Sequence, residues 1–535
     1  MTTNSNHPSL PDPSVLAALA SAYFPEFSSG EAAEAASAAP ELAPSVQELA
    51  PSVQNTIPSP PAFAPSVQEI SPAGQSYNGL WTEADFLRAI PGAFELNNEG
   101  TSSLPGSYAP SVEFSSGNHA PSAVSAPSLS FGSFDVNAVR NDFPILAEKV
   151  NGKNLVWLDN AATTHKPRQV IERIKYYYEH ENSNVHRAAH ELAARSTDAY
   201  EGAREKAARF LNAPSAKEIV FVRGATEGIN LVASSYAKHH LQKDDEILIT
   251  WLEHHANIVP WQLVCEETGA KLRVVPVDES GQILLDEYVK LLSSRTKFVS
   301  LTHVSNALGT VTPVAEMVSL AHRYGAKVLV DGAQAVSHLK VDVQALDADF
   351  YVFSGHKVFG PTGIGVLYGK PEALESMRPY QGGGNMIVDV TFEKTIVHPA
   401  PARFEAGTGN IADAVGLGAA LDYVSSIGLD VINRYEHFLL EYGIESLSRV
   451  PGLRLIGTAK EKAGVLSFVL SGYTTEEVGK ALSNEGIAVR SGHHCAQPIL
   501  RRFGLESAVR PSLALYNTCG EIDALVSVLL KLKHS

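Results

Sequence analysis

Residues 349–368, which read DFYVFSGHKVFGPTGIGVLY, are the stretch from which the fold can be predicted. The apolar, aromatic and β-branched residues 350–353 are typical of a buried strand. A second apolar run, residues 364–368, follows a connection that is rich in glycine. Lys357 is therefore predicted to lie on a tight turn between two strands, where glycines let the backbone pass close to a bound group.

A lysine in such an apolar setting is energetically costly unless it reaches solvent or has a lowered pKa. Most lysines are ordinary solvated charges, and Lys357 alone does not indicate chemistry. Lys357 indicates a chemical role only in combination with residues that precede it in the chain.

Short apolar runs alternate with helix-length segments from residue 218 onwards. The runs are residues 219–222, 246–250, 272–277, 297–303, 327–331 and 350–354. Strands separated by helical connections predict an α/β fold with a mainly parallel sheet covered on both faces. Because ligands bind beyond the carboxyl ends of such strands, the residues that follow each run are the candidate site.

Several of these positions carry groups that suit one cofactor. Thr226 opens a helix after a glycine turn, where free N–H groups can bind phosphate. His254 can stack on a flat ring, and Asp331 ends an apolar strand, where a carboxylate needs a cationic partner such as a protonated ring nitrogen. Together with Lys357, these residues predict a site for pyridoxal phosphate, which acts as an electron sink.

Cys495 lies on a glycine-containing polar loop beside two imidazoles, a setting that can favour a thiolate. The alternative of a structural cysteine suits Cys265, inside a predicted helix, and Cys519. A metal site made of His493, His494 and Cys495 is disfavoured, because adjacent residues rarely chelate one ion. We therefore predict a reactive cysteine and no metal.

Residues 1–130 differ in composition from the rest of the chain. They hold 12 of the 58 acidic side chains and only one of the 42 basic ones, and they repeat the unit Ala-Pro-Ser-Val-Gln. Such short units cannot bury an apolar face, so we predict a disordered acidic extension. Residues 14–23 and 82–90 can form helices within it, either as docking elements or transiently without a partner.

Composition also bears on location and partners. The chain has no basic patch, so nucleic acid is not an expected partner. The apolar residues 14–24 are too short to cross a membrane and lack a preceding basic residue, so no membrane association is expected. Three cysteines without CxxC spacing indicate a reducing compartment. We expect a cytoplasmic protein.

From about residue 134 to the C-terminus, the chain resembles the Suf-type cysteine desulfurases, the group II branch of the class V aminotransferase-like enzymes. The motifs that carry the resemblance are LDNAAT (158–163), EHHANIVPW (253–261), DGAQ (331–334), SGHK (354–357) and RSGHHC (490–495). The resemblance implies a homodimer of the type I pyridoxal-phosphate fold. Its large domain would be residues 147–425. Its smaller α+β domain would be residues 426–535, and residues 131–146 would be an N-terminal segment of that smaller domain.

The resemblance also implies a role for each candidate cofactor residue. Lys357 would bind the cofactor covalently, and Asp331 would pair with its ring nitrogen. His254 would stack on the ring and move protons. Gln334 would bond the ring hydroxyl. The phosphate would be bound by Thr226, Ser354, His356 and the other subunit's Thr408.

The substrate implied by the resemblance is L-cysteine. Cys495 would take the substrate sulfur as a persulfide and release L-alanine. The sulfur would then pass to an acceptor protein of the Suf pathway for iron–sulfur cluster assembly. The residues implied to bind the substrate carboxylate are Asn306 and Arg510, and those implied to line the site are Arg490 and Arg187.

Two alternatives stay open on the sequence alone. A selenocysteine lyase or a related class V transaminase would share the fold without requiring Cys495. A non-catalytic scaffold, with an acidic tail that recruits partners, would be expected to lack Lys357 or Asp331. Both residues are present, which favours an enzyme.

Overall fold

The structure is a computed structural model that describes residues 134–185 and 190–534. The predictions for residues 1–130 and for Arg187 lie outside the described residues. The helices of the described part are α1 (Val136–Asn141), α2 (Arg168–His180), α3 (Glu191–Phe210), α4 (Ala225–Val232), α5 (Lys238–His240), α6 (Val259–Thr268), α7 (Leu285–Leu291), α8 (Val314–Arg323), α9 (Val343–Leu346), α10 (Pro371–Ser376), α11 (Ile411–Ile427), α12 (Leu429–Ser448), α13 (Thr475–Asn484), α14 (Gln497–Arg502) and α15 (Cys519–His534).

The strands lie mostly in two sheets. They are β1 (Lys149–Val150), β2 (Lys153–Asn154), β3 (Val156–Trp157), β4 (Ile219–Val222), β5 (Glu246–Thr250), β6 (Lys271–Val275), β7 (Thr296–Thr302), β8 (Lys327–Asp331), β9 (Phe350–Ser354), β10 (Gly365–Gly369), β11 (Ile387–Val390), β12 (Thr395–Val397), β13 (Leu453–Leu455), β14 (Phe468–Leu470), β15 (Ile487–Ala488), β16 (Arg490–Gly492) and β17 (Ala508–Arg510).

The larger sheet has seven strands in the order β4-β10-β9-β8-β7-β5-β6. The strands from β5 to β9 run parallel to one another, whereas β10 is antiparallel to both β4 and β9. Every residue of β4, β5, β9 and β10 is buried, which explains their nearly continuous apolar sequences. The predicted α/β class with a mainly parallel sheet is confirmed.

The sequence prediction matches this sheet closely. The bounds of β4, β5, β8 and β9 are those predicted, and β6 and β7 differ from the prediction by one or two residues at their ends. The turn that carries Lys357 connects β9 to β10, as expected. The edge where β5, β7, β8 and β9 end is therefore the edge at which the candidate residues meet.

The second sheet has four antiparallel strands in the order β13-β14-β17-β16. Its apolar face packs with side chains of α12, α13 and α15, among them Leu439, Leu482 and Leu525. β14 begins at Phe468 and does not include Val465, although Val465 is apolar and buried. Val465 instead forms a single bridge to Ser512, outside any strand.

The N-terminal segment packs on this second sheet's helices. The rings of Phe134 and Tyr435 have centroids 4.7 Å apart, and Arg140 Nη1 lies 2.9 Å from Glu521 Oε1. The predicted boundary between residues 425 and 426 falls in the last turn of α11. The boundaries at residues 131–146, 147–425 and 426–535 stay predictions.

Among the described residues, no single helix is long and apolar enough to cross a membrane. The helices α11 and α12 reach that length and apolar character only when they are taken together. The chain bends by 75° between them.

Candidate active site

A cavity of about 200 Å³ lies at the carboxyl ends of the parallel strands. Eleven of the thirteen predicted site residues line it: Thr226, His254, Asn306, Asp331, Gln334, Ser354, His356, Lys357, Arg490, Cys495 and Arg510. Thr408 is exposed and is not among the lining residues, and Arg187 lies outside the described residues. Residues that are up to 284 positions apart in the chain thus meet at one edge of the sheet.

Lys357 lies in a short 3-10 turn, Gly355–Lys357, directly after β9. A Cβ at Gly355 would lie 2.9 Å from Ile364 Cγ2 and 3.1 Å from the Ile364 carbonyl oxygen, so the turn requires glycine there. Burial lowers the pKa of Lys357 to about 8, although nearby Asp331 opposes this shift. The neutral, nucleophilic form of this amine is therefore far more abundant near neutral pH than it is for an ordinary lysine.

Asp331 ends β8 and is only 5% exposed. Its Oδ1 accepts a hydrogen bond from the backbone N–H of Ala333 at 2.9 Å. Burial raises the pKa of this carboxyl, and the Ala333 hydrogen bond and the charge of Lys357 oppose the rise. A cationic group in the cavity would be strongly attracted to this buried carboxylate.

His254 presents a neutral imidazole at the cavity. Its Nδ1 accepts a hydrogen bond from the backbone N–H of Ala256 at 3.1 Å, so the ring proton of the neutral form lies on Nε2. Burial lowers the pKa of His254 to about 3, and the charge of Lys357 adds to that effect. The ring is therefore uncharged at physiological pH.

Glu253, which sequence reasoning did not single out, fixes the turn that carries His254. It is fully buried and accepts hydrogen bonds from Thr250 Oγ1 at 2.7 Å, Asn257 Nδ2 at 2.6 Å and Thr302 N at 3.0 Å. The last of these bonds ties the turn that follows β5 to the end of β7. The quoted motif EHHANIVPW contains Glu253 and Asn257, which is the signal that could have identified this network.

The start of α4 combines a helix N-terminus with hydroxyl groups. The backbone N–H of Ala225 donates to Ser354 Oγ at 2.9 Å, and Thr226 follows in the first turn. A Cβ at Gly224 would lie 3.1 Å from Ser354 Oγ, so glycine permits the close approach of β9 and α4. The arrangement suits an anion such as phosphate.

Arg510 supplies a buried cation and is 2% exposed. Its Nη1 donates to the Asn306 carbonyl oxygen at 2.9 Å, and its Nη2 donates to Asp159 Oδ1 at 3.2 Å. Burial lowers the pKa of Arg510 to about 10, which leaves it charged at pH 7. Arg510 ends β17, and the extended backbone there agrees with the preference imposed by Pro511. Asp159 was missed, although it lies in the quoted motif LDNAAT.

The side chain of Asn306 is partly engaged already. Its Nδ2 donates to the carbonyl oxygen of His494 at 2.7 Å, and its buried Oδ1 has no hydrogen-bond partner within residues 134–185 and 190–534. An amide oxygen only accepts hydrogen bonds, so it cannot bind a carboxylate. The predicted contact with a substrate carboxylate would therefore have to use the second N–H of the amide.

Cys495 is half-buried at the cavity. Burial, together with the charge of Arg510, lowers the pKa of the adjacent His494 to about 3, so that its ring is neutral. His494 therefore gives no positive charge to a thiolate, contrary to expectation. Among the described residues, Lys357 and Arg510 both interact electrostatically with Cys495.

The other two cysteines differ from Cys495. Cys265 lies within α6, and burial raises the pKa of its thiol to about 11. Burial and the charge of Asp523 raise the pKa of Cys519. A raised thiol pKa lowers the thiolate fraction, so neither residue is suited to act as a nucleophile.

Comparisons with known proteins agree with this site. The family model described as aminotransferase class-V matches residues 156–525. A cysteine desulfurase of Synechococcus elongatus is 68% identical over 413 residues, which cover 77% of this chain and 66% of that protein. A cysteine desulfurase of Salmonella agona is 52% identical over 400 residues, which cover 75% of this chain and 98% of that protein.

A solved structure shows the same fold. The crystal structure of the cysteine desulfurase CsdA from Escherichia coli, in an S-sulfonic acid form, superposes with a TM-score of 0.70 at 40% identity and covers 75% of this chain and 100% of that one. The chain spans slightly less than two thirds of the Synechococcus relative's length but nearly all of the Salmonella one. The chain belongs to the aminotransferase class-V family.

Proposed function

We propose that this chain is a pyridoxal-phosphate-dependent cysteine desulfurase, which converts L-cysteine to L-alanine and keeps the sulfur as a persulfide on Cys495. The observation that carries the proposal is the meeting of Lys357, Asp331 and Cys495 in one cavity. Relatives that bear this name are 52% and 68% identical over three quarters of the chain.

The residues of the cavity fit the cofactor. Asp331 is a buried carboxylate for a ring nitrogen, and Lys357 is an amine for the aldehyde. The start of α4, with Thr226, Ser354 and His356, would bind the phosphate, and Gln334 would bond the ring hydroxyl. Bound there, the cofactor would supply an electron sink for negative charge at the substrate α-carbon.

The protein's own groups would carry out the remaining steps. Arg510 would bind the substrate carboxylate, and Lys357 Nζ would move the α-proton. The Cys495 thiolate would attack the substrate sulfur, so that an S–S bond forms while the substrate C–S bond breaks. The electron pair of that C–S bond and a proton remain with the carbon skeleton, which leaves as alanine.

A homodimer belongs to the same proposal. Thr408 lies on an exposed loop that is anchored through Glu405, whose carboxylate accepts hydrogen bonds from Arg204 at 2.6 and 2.9 Å. An exposed hydroxyl that does not line the described cavity is available for a contact with the partner's phosphate. Arg187 would line the site, and the persulfide sulfur would pass to an acceptor protein of the Suf pathway for iron–sulfur cluster assembly.

The direct test is to incubate the purified protein with cysteine and to measure alanine and protein persulfide together. Equal amounts of both, with the persulfide mapped to Cys495, would support the proposal. Alanine formation from selenocysteine alone would indicate a selenocysteine lyase. Absence of alanine from either substrate would favour a scaffold.

We also predict how the apoprotein takes up its cofactor as a function of pH. The neutral Lys357 amine is the reactive form, and its pKa is lowered to about 8. The rate of covalent cofactor binding should therefore increase as pH rises through about 8 and level off above it. Absorbance after addition of pyridoxal phosphate measures this rate, and a rate independent of pH between about 7 and 9 would contradict it.

A chain that begins at Phe131 should dimerise, bind cofactor and turn over cysteine like the full chain. The reason is that residues 1–130 have too little apolar surface to offset the entropy of ordering. Gel filtration, cofactor absorbance and alanine release measure the three properties. A loss of tenfold or more in turnover, about 1.4 kcal/mol of transition-state stabilisation, would show that the extension reaches the site or the dimer interface.

A further inference from the structure

The loop that carries Cys495 has a strained backbone. His494 and Cys495 both have φ of +53°, in the left-handed region that residues with a Cβ rarely adopt. Neither residue is glycine, so the surrounding contacts must hold this conformation. The anchors of the loop therefore decide where the Cys495 sulfur points.

His255 contacts this loop at three alternate residues, His493, Cys495 and Gln497. Its backbone N–H donates to the carbonyl oxygen of Cys495 at 2.8 Å. Its Nε2 accepts a hydrogen bond from the backbone N–H of Gln497 at 3.3 Å. Its ring stacks on the ring of His493, with centroids 5.7 Å apart and planes at 26°. His255 thus touches residues before, at and after the reactive position.

His493 completes the arrangement from within the loop. Its Nδ1 accepts a hydrogen bond from the backbone N–H of Cys495 at 3.0 Å. The N–H and the C=O of Cys495 are therefore both bonded, the first to His493 and the second to His255. Because the two imidazoles stack on each other, they fix the peptide groups on both sides of the reactive position as one unit.

The two adjacent histidines of the motif EHHANIVPW contact different parts of the structure. His254 and Ala256 line the cavity, whereas His255 does not. Burial, with the nearby His493, lowers the pKa of His255 below its ordinary value of 6.5. Its ring is therefore neutral at pH 7, and Nε2 remains free to accept the hydrogen bond from Gln497.

We propose that His255 is a positioning residue that holds the Cys495 loop in its left-handed conformation and so directs the sulfur into the cavity. This inference rests on the proposed function. Attack on a substrate sulfur requires close approach and alignment, and a misplacement of about 1 Å can reduce a rate by about a hundredfold.

The test compares His255→Ala and His255→Phe in the cofactor-loaded protein. Phenylalanine keeps a ring that can stack on His493 but has no acceptor for Gln497, whereas alanine removes both contacts. Persulfide formation on Cys495 should slow by roughly tenfold to a hundredfold in the alanine variant, and by less in the phenylalanine variant. Alkylation of Cys495 by iodoacetamide should become faster in both, because the released loop exposes the sulfur. The absorbance of the cofactor in both variants should match that of the wild-type protein, both before and after cysteine is added.

A positioning role predicts that persulfide formation slows while alkylation of Cys495 becomes faster. A general loss of structure would also reduce cofactor loading. His437→Phe is the matched control, since His437 is exposed on α12 and its Nε2 lies 3.2 Å from Glu441; it should change neither rate. If His255→Ala fails to load cofactor, the phenylalanine variant decides. Unchanged rates in that variant, or a fall in both, would overturn the inference. If the wild-type protein forms no persulfide, the proposed function fails, while the alkylation rates still test the anchor.

Discussion

Replacing Lys357 with alanine should abolish the covalent cofactor linkage and all desulfurase turnover. The amine belongs to the turn directly after β9 and lines the same cavity as Asp331. Burial lowers its pKa to about 8, which makes it reactive. Reduction of the cofactor-loaded wild-type protein with borohydride, followed by peptide mapping, should place the cofactor on Lys357. The variant should show neither the covalent absorbance nor the labelled peptide.

Lys462 provides a stringent control for this assignment. Burial lowers the pKa of Lys462 to about 7, so a lowered pKa alone would make Lys462 as reactive as Lys357. However, it lines a separate cavity of about 130 Å³, and its Nζ donates to the carbonyl oxygen of Gly457 at 2.7 Å. Lys462→Gln should retain the covalent linkage. Cofactor found on Lys462, or on any lysine other than Lys357, would contradict the site.

The central sheet was predictable because its strands are buried on both faces. Four strands matched to the residue, since each continuous apolar run ends at or just before a polar residue, as at Asp331 and Ser354. The second sheet was harder to predict. Its strands are three residues long, and Val465 is apolar and buried but pairs through one bridge only. Hydrophobicity alone does not distinguish such a residue from a strand residue.

The site was predictable where a residue acts from the end of a strand, as Asp331 and Lys357 do. It was not predictable where a residue acts through a partner that is distant in the chain. Asp159 bonds to Arg510, 351 positions away, and His255 bonds to Gln497, 242 positions away. Such pairs become visible only once the fold brings them together, because neither residue is unusual in its local sequence.

The Cys495→Ser variant should bind cofactor and cysteine normally but produce alanine at least roughly a thousandfold more slowly, as is typical when a nucleophile is removed. A serine hydroxyl cannot replace the thiolate that attacks the substrate sulfur, whereas the residues that bind the cofactor and the carboxylate are untouched. Cofactor absorbance during a cysteine titration measures binding, and alanine release measures turnover.

Cys265→Ser and Cys519→Ser are the controls, and we expect both to retain turnover. The two residues are half-buried like Cys495, but they do not line the cavity, and burial raises the pKa of each thiol. Exposure therefore does not separate the three cysteines, whereas position relative to Lys357 does. Sustained alanine release by Cys495→Ser, or its loss in either control, would show that the nucleophile is a different cysteine.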